Sequence, residues 1–343
     1  MPALESLSLD TQLFGYPVGR IDLSDETFQS PCVLSDVETR GLMLDAYNGH
    51  RMKLLYLYAP VAQCPAKETR PSFPGQLVDV KTTLCMPMAQ LWAQREALVR
   101  TAFLGEHARL AAVPKGDAPS DALRILAIES GTWSRFKIDT NIAKPGFEGM
   151  FTAWITNSIN KSIADETFVA LDKDTSEEIG FITLKKKGST VSIGLLATSA
   201  QHRRKGVASM LLSRGALWAI EQSADPASLT YSVVTQGANE AALACYERFG
   251  FAKTTEQDLY HIWLPEHLDE PKRRADHGII PFCKQYFTGK EVSAELPTLS
   301  LSLTCSLQIM ARSRWSTWAR CSRRGWTAAP GSRTCARCAS RSC

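Results

Sequence analysis

Residues 191–251 constrain the chain more than any other stretch, because they run through a strand, a basic glycine-bearing turn and a helix without a break. Residues 191–196 have the apolar, β-branched makeup of a strand. Residues 199–206 then gather Gln201, His202, Arg203, Arg204, Lys205 and Gly206 in a turn directly ahead of a helical run at 207–220. The first N–H groups of a helix have no partner within it and lie at the positive end of its dipole, so such a turn is a natural phosphate site. Ala208, Leu211, Leu212, Gly215, Ala216 and Ala219 give the helix one small, apolar face to lay on a sheet. Residues 229–234 read as the next strand, and 239–249 as a short helix closed by Gly250.

This arrangement resembles the GNAT superfamily of N-acetyltransferases. The family's Arg/Gln-x-x-Gly-x-Gly/Ala turn is matched by Arg203-Arg204-Lys205-Gly206-Val207-Ala208, and its Asn…Tyr-x-x-x-Gly-Phe motif by Asn239, Tyr246, Gly250 and Phe251. The resemblance implies that acetyl-CoA is the co-substrate and that the amides of Arg203 to Ala208 hold its pyrophosphate. It implies too that Asn239 bonds the pantetheine arm and that Tyr246 donates a proton to the departing thiolate. The backbone of Leu195, Leu196 and Ala197 would bind the pantetheine amides as an added strand, with N–H groups able to polarise the thioester carbonyl. Simpler roles stand beside these: a solvated basic turn, a helix N-cap at Asn239, and a core tyrosine at Tyr246.

Charge and cysteine content are misleading until the end of the chain is set apart. The formal charge is +4 over 343 residues, yet eight arginines and no acidic residues fall after Glu295, leaving about −4 elsewhere. That balance argues against nucleic-acid binding and is ordinary for a cytoplasmic enzyme. No run of about 18 apolar residues marks a membrane span, and the polar, acidic start is unlike a signal peptide. Cys32, Cys64, Cys85 and Cys245 read as scattered free thiols, while six more crowd the final segment. Cys335 and Cys338 have a zinc-ligand spacing without a second pair, and His107, His202 and His261 are isolated in sequence, so no metal is expected and the histidines are given no catalytic role.

Taken in order, 11–23 alternate as an opening strand and 37–47 have helical spacing. Residues 52–58 and 76–84 read as strands. These form an N-terminal α/β half-domain, 1–115, separated from a catalytic domain, 120–265, by the Pro- and Asp-containing stretch 113–120. Within the second domain, 131–139 reads as a polar, aromatic, ligand-facing loop and 147–159 as a helix. Residues 167–171 and 180–184 are strands, the latter folding back on 191–196. The expected fold is α/β (α+β): a mixed, mostly antiparallel central sheet flanked by helices, plus the smaller N-terminal domain.

Ser134-Arg135-Phe136 with Asp139, the helix bearing Phe151, Trp154, Asn157 and Ser158, the strand at 193–196, and the segment from Gln236 to Tyr246 together resemble the TDP-fucosamine acetyltransferases. Those enzymes acetylate dTDP-4-amino-4,6-dideoxygalactose. The resemblance implies a nucleotide-sugar acceptor met by Arg135, Phe136 and Asp139, a role in surface-glycan biosynthesis, and room for a homodimer. Asp79, in the sequence Leu77-Val78-Asp79, resembles a position where an acid positions water, which makes it the candidate base; an exposed strand-edge aspartate is the plainer reading. Acetylation of proteins or other small amines is the alternative within enzymes, and a non-catalytic acyl-CoA-binding regulatory module is the alternative outside them. Residues 279–291 resemble the start of a sugar aminotransferase. The remainder of 266–343 reads as a disordered, out-of-frame tail or a basic RNA-binding one.

Overall fold

The computed structural model describes residues 4–23, 46, 51–61, 75–116 and 118–264, all within one compact unit, Met1–Lys290. In chain order the elements are β1 (Leu4–Ser6), α1 (Ser8–Phe14), β2 (Val18–Asp22), β3 (Leu54–Pro60), β4 (Gln76–Pro87), α2 (Met88–Ala93), α3 (Arg95–Phe103) and β5 (Ala108–Ala112). Then follow α4 (Asp121–Ser130), α5 (Arg135–Ile138), α6 (Lys144–Ile159), β6 (Glu166–Asp172), β7 (Glu178–Lys187) and β8 (Thr190–Thr198). The last elements are α7 (Val207–Glu221), β9 (Thr230–Gln236), α8 (Glu240–Phe249) and β10 (Ala252–Trp263).

The ten strands among the described residues form one sheet in the order β1-β2-β3-β10-β4-β9-β8-β7-β6-β5. Neighbours are antiparallel except β2 with β3 and β8 with β9, so the mixed, mostly antiparallel sheet expected from sequence is present. Strands from 1–115 and from 120–265 interleave in it: β4 lies between β10 and β9, and β5 pairs with β6.

Helices cover both faces. On one, Leu98 and Ala102 of α3, Met210, Leu211 and Ala216 of α7 and Tyr246 of α8 pack on Leu84, Leu184, Ile193 and Tyr231. On the other, Leu126 and Ala127 of α4 and Phe147, Phe151 and Ile155 of α6 pack on Val169, Phe181, Leu195 and Leu259. Burying such side chains contributes about 1.5–3 kcal/mol each, which is what holds these helices to the sheet. The 113–120 stretch ends in an N-cap, Ser120 Oγ accepting from the Leu123 N–H at 3.1 Å.

The opening strand expected over 11–23 is corrected. Residues 8–14 are helical, the turn closes at Gly15 with φ +76°, and only 18–22 are extended. Leu9, Leu13 and Phe14 recur at helical spacing, while the alternation holds only beyond Tyr16. The helix expected at 37–47 and the segment 266–343 lie outside the described residues.

Candidate active site

The site begins with a defect in β8. Leu184 faces Ile193 and Ile182 faces Leu196, so Gly194 and Leu195 together stand opposite Thr183. This is a β-bulge, which bends a strand and flips its faces. Val191 and Ile193 consequently pack on the α7 side, whereas Leu195 and Ala197 pack on the α6 side. The buried Thr183 Oγ1 accepts from the Leu195 N–H at 2.8 Å, and a Cβ at Gly194 would meet that oxygen at 2.8 Å, so only glycine fits without a shift.

The bulge parts β8 from β9. Their parallel pairing stops at Ile193 and Val233, while β9 continues along β4 to Gln236. Backbone accounting then identifies which groups face the gap. Ser199 N–H bonds the Ile179 carbonyl and Ala197 is the previous residue turned toward β7, so Leu196 and Thr198 turn their peptide groups the other way. Of Leu195, Leu196 and Ala197, therefore, only Leu196 offers its backbone to the gap. Thr198 joins it, and its buried Oγ1 has no hydrogen-bond partner among the described residues. Sequence reasoning missed Thr198 and the bulge; a glycine in mid-strand was the signal for the latter.

Across the gap stands the start of α7. Arg204 (φ +62°) and Gly206 (φ +80°) are both left-handed, which turns the chain so that the helix begins at the mouth of the gap. The N–H of Met210 is bonded to the Gly206 carbonyl, leaving the amides of Val207, Ala208 and Ser209 without helical partners. Arg203 reaches back to the Thr198 carbonyl at 3.4 Å. His202, isolated in sequence, is held in space by Ser199 Oγ at 2.8 Å and Asp172 at 3.4 Å, which anchors the turn.

The third wall is α8. Asn239 caps it, Oδ1 accepting from Ala242 N–H at 3.2 Å, and this leaves the amide nitrogen for another partner. Tyr246 is buried, its ring edge-on to Phe251, and burial raises the phenol's pKa. Together these groups line a cavity of about 830 Å³ that includes Leu196, Ala197, Thr198, Arg203, Arg204, Gly206, Val207, Ala208, Asn239 and Tyr246. Lys205 is not among its lining residues. Ser209, Cys245 and the exposed Trp133, none singled out from sequence, are.

The acceptor-side residues expected from sequence lie elsewhere. Of 131–139, Thr132 and Trp133 line this cavity, whereas Phe136 is buried in the core against Phe14, Tyr56 and Phe151. Asp139, expected at the acceptor, is buried with protein partners. It is 1% exposed, Oδ2 accepts from Trp263 Nε1 at 2.8 Å and lies 2.7 Å from His261 Nδ1, and Oδ1 accepts from Asn141 N and Nδ2. Burial alone would raise its pKa, but these hydrogen bonds outweigh burial and hold it low. His261 is thus a paired, buried residue, kept neutral chiefly by burial.

Asp79 lies outside the 830 Å³ cavity. It sits on β4 opposite Leu259, beside a second bulge, and burial pushes its pKa up to about 7 against the opposing field of Arg135. Arg135 packs over the rings of Tyr56 (4.8 Å) and Phe136 (4.2 Å). No cluster of metal-ligating side chains occurs among the described residues, and none of their helices is long and apolar enough to cross a membrane.

Residues 133–251 match the model of the Acetyltransferase (GNAT) family. That span contains the bulged strand, the α7 turn and α8. The spore coat polysaccharide biosynthesis protein SpsD of Bacillus subtilis (strain 168) is 29% identical over 150 residues, which is 44% of this chain and 50% of that protein. The chain thus spans about half the length of the curated relative it matches. A functionally unknown conserved protein from Staphylococcus epidermidis ATCC 12228 superimposes with a TM-score of 0.47 at 11% identity, over 74% of this chain and 88% of its own. A tandem GNAT protein from the clavulanic acid biosynthesis pathway gives 0.43 at 14% identity, over 73% and 76%.

Proposed function

We propose that the chain transfers acetyl from acetyl-CoA to the amine of a nucleotide-linked amino sugar, of the dTDP-4-amino-4,6-dideoxyhexose class. The observation that carries the donor half is the convergence, in one cavity, of an unpaired helix N-terminus, a strand edge freed by a bulge, and Tyr246. The free amides of Val207, Ala208 and Ser209 suit a pyrophosphate. The peptide groups of Leu196 and Thr198 suit the amides of a pantetheine arm, with the Leu196 N–H placed to polarise a thioester carbonyl.

The reaction balances as follows. The neutral amine nitrogen bonds to the thioester carbon and the carbon–sulfur bond breaks. The amine's proton passes to Asp79, directly or through water, and sulfur takes a proton from Tyr246. A phenol whose pKa is raised by burial keeps its proton until thiolate charge develops beside it, which suits an acid and not a base. Asp79, with a pKa of about 7, is ionised enough at neutral pH to act as base yet basic enough to hold a proton.

The amino-sugar acceptor is supported by the resemblance over 134–246 and by a relative whose name places it in polysaccharide biosynthesis. Incubating the protein with acetyl-CoA and a panel of dTDP-amino sugars, free amino sugars and peptide amines, with products read by mass spectrometry, tests it. A gain of one acetyl group on the dTDP-linked amines is expected. Acetylation of peptides alone would move the chain to the protein acetyltransferases, and binding of acetyl-CoA without any product would make it a regulatory module.

A further inference from the structure

We propose that Arg20, Lys81 and Arg135, gathered on the rings of Tyr56 and Tyr58, form a subsite for a phosphate-bearing part of the acceptor. The inference rests on the acetyltransferase reading above and adds to it a place and a chemistry. Strand pairing puts the residues together. Arg20 of β2 stands beside Tyr56 of β3, which stands beside His261 of β10. Asp22, Tyr58, Leu259 and Asp79 form the adjacent row across β2, β3, β10 and β4, and Gln257 with Lys81 the next. Paired residues point to the same face. The contacts confirm it: Arg20 Cζ lies 4.5 Å and Lys81 Nζ 5.5 Å from the centre of the Tyr58 ring, with Arg135 on Tyr56 from above.

Of the three cations only Arg20 has a carboxylate among the described residues at contact distance, while the fields of Asp10 and Asp79 reach Arg135 and that of Asp22 reaches Lys81. Arg20 pairs with Asp22 at 2.5 Å, and Asp10 is taken by the Tyr56 hydroxyl at 2.9 Å. Among the described residues, neither Lys81 nor Arg135 has a carboxylate within 4.0 Å; Lys81 Nζ donates only to Gln257, at 2.9 Å. Buried polar atoms normally have partners. Among the described residues six side-chain nitrogens and oxygens are buried without one, and three belong here: Arg20 Nε, Arg135 Nε and His261 Nε2. Two unpaired cations with donors free, in half-buried positions, cost stability unless something completes them.

The neighbouring surface is open. Val234 is 48% exposed although β9 is an interior strand. It points to the same face as Lys81, since Val234 stands beside Thr83 and Gln236 beside Lys81. A guanidinium and an ammonium with free donors match phosphate oxygens. The tyrosine faces are already covered by the cations, so they hold the cations in place and leave the oxygens of a diphosphate as the fitting ligand. Asp79, in the same row as Tyr58, would then stand next to the amine end of a molecule anchored by its phosphates.

The test titrates dTDP calorimetrically into protein saturated with CoA, so that the pyrophosphate site at α7 is already filled. Binding is expected in the wild type. It should weaken by about 10–100-fold in Lys81→Met and in Arg135→Met, the scale of losing a charge-assisted hydrogen bond, with partial recovery in Arg135→Lys and thermal unfolding confirming each variant's fold. Should Arg135→Met fail to fold, Lys81→Met and Arg135→Lys decide the matter. Absence of dTDP binding to the CoA-saturated protein, or an unchanged dissociation constant in the folded variants, overturns the subsite. Product analysis separates this from the functional reading. Acetylation of free amino sugars with the same KM as their dTDP-linked forms refutes the subsite and leaves acetyl transfer standing. Variant-sensitive dTDP binding without acetylation of any amine upholds the subsite and refutes the proposed reaction.

Discussion

Replacing Asp139 by Asn distinguishes a structural clamp from a substrate contact. Both carboxylate oxygens are occupied: Oδ1 by Asn141, at 2.9 Å from its N and 3.0 Å from its Nδ2, and Oδ2 by Trp263 Nε1 at 2.8 Å and His261 Nδ1 at 2.7 Å. An asparagine can keep the first oxygen as an acceptor, but its NH₂ then faces His261 and Trp263. The histidine can change tautomer and accept; an indole N–H cannot. One buried donor is left unpaired and the remaining hydrogen bonds lose their charge, which together cost roughly 2–4 kcal/mol. Urea unfolding followed by tryptophan fluorescence measures this. The pH dependence has a definite sign. Because Asp139 is held below its ordinary value of 3.8 by those hydrogen bonds, its contribution is present above about pH 4 and is lost as pH falls through the folded-state pKa. The gap between wild type and variant should therefore shrink in acid. A variant as stable as the wild type, with a raised acceptor KM, would refute the argument and restore Asp139 as a substrate ligand.

Three further outcomes are expected. Tyr246→Phe should lower kcat by about 10²–10⁴-fold, the usual scale for a general acid, with unchanged acetyl-CoA affinity and stability, because the hydroxyl makes no hydrogen bond among the described residues; a kcat like that of the wild type across the pH range would remove it from the mechanism. Gly206→Val should weaken acetyl-CoA binding in calorimetry. The added Cβ meets nothing within 4 Å, so the effect comes from a β-branched residue at φ +80°, a strain of about 1–3 kcal/mol that shifts the turn; unchanged affinity in a folded variant would displace the phosphate site. The wild type's kcat/KM should rise with pH to a plateau above about 7, the value to which burial pushes Asp79, and Asp79→Asn should abolish that inflection; its persistence would assign the base elsewhere. Stability runs the other way: the raised carboxyl is costly when ionised, so its penalty is absent below 3.8 and complete above about 7.

What the sequence disclosed follows from how local each feature is. The turn at 203–208, the helix after it and the Asn239 cap are contiguous, and backbone geometry there is written in Gly206, Gly250 and the apolar spacing. The splay of β8 from β9 was hidden, because it depends on Thr183 from another strand accepting the Leu195 N–H. Asp139 and His261 are separated by 122 positions, so nothing near either one signals the pair, and an aspartate beside Arg135 reads naturally as a ligand. Residues 11–23 misled for a different reason: the alternation from Tyr16 onward is real, and α1 precedes it with only seven residues and no side-chain cap to mark its start.

This difference in locality also separates the two halves of the chemistry. On the proposed reading the donor side relies on peptide groups: three free amides of α7 and the turned-out backbone of Leu196 and Thr198. Side chains there can vary provided the bulge, the left-handed turn and the helix persist. On the proposed reading the acceptor side relies on Arg20, Lys81, Asp79 and Arg135, side chains carried by β2, β4 and α5 and brought together by pairing through β3 and β10. Arg20, Lys81 and Arg135 pack over Tyr56, Tyr58 and Phe136 of the core that holds α6, so a substitution there alters both the charge on one sheet face and the cover on that core. On that proposal, substitution at Lys81 should move acceptor choice while leaving acetyl-CoA binding unchanged, and a change of acceptor class should be sought there first.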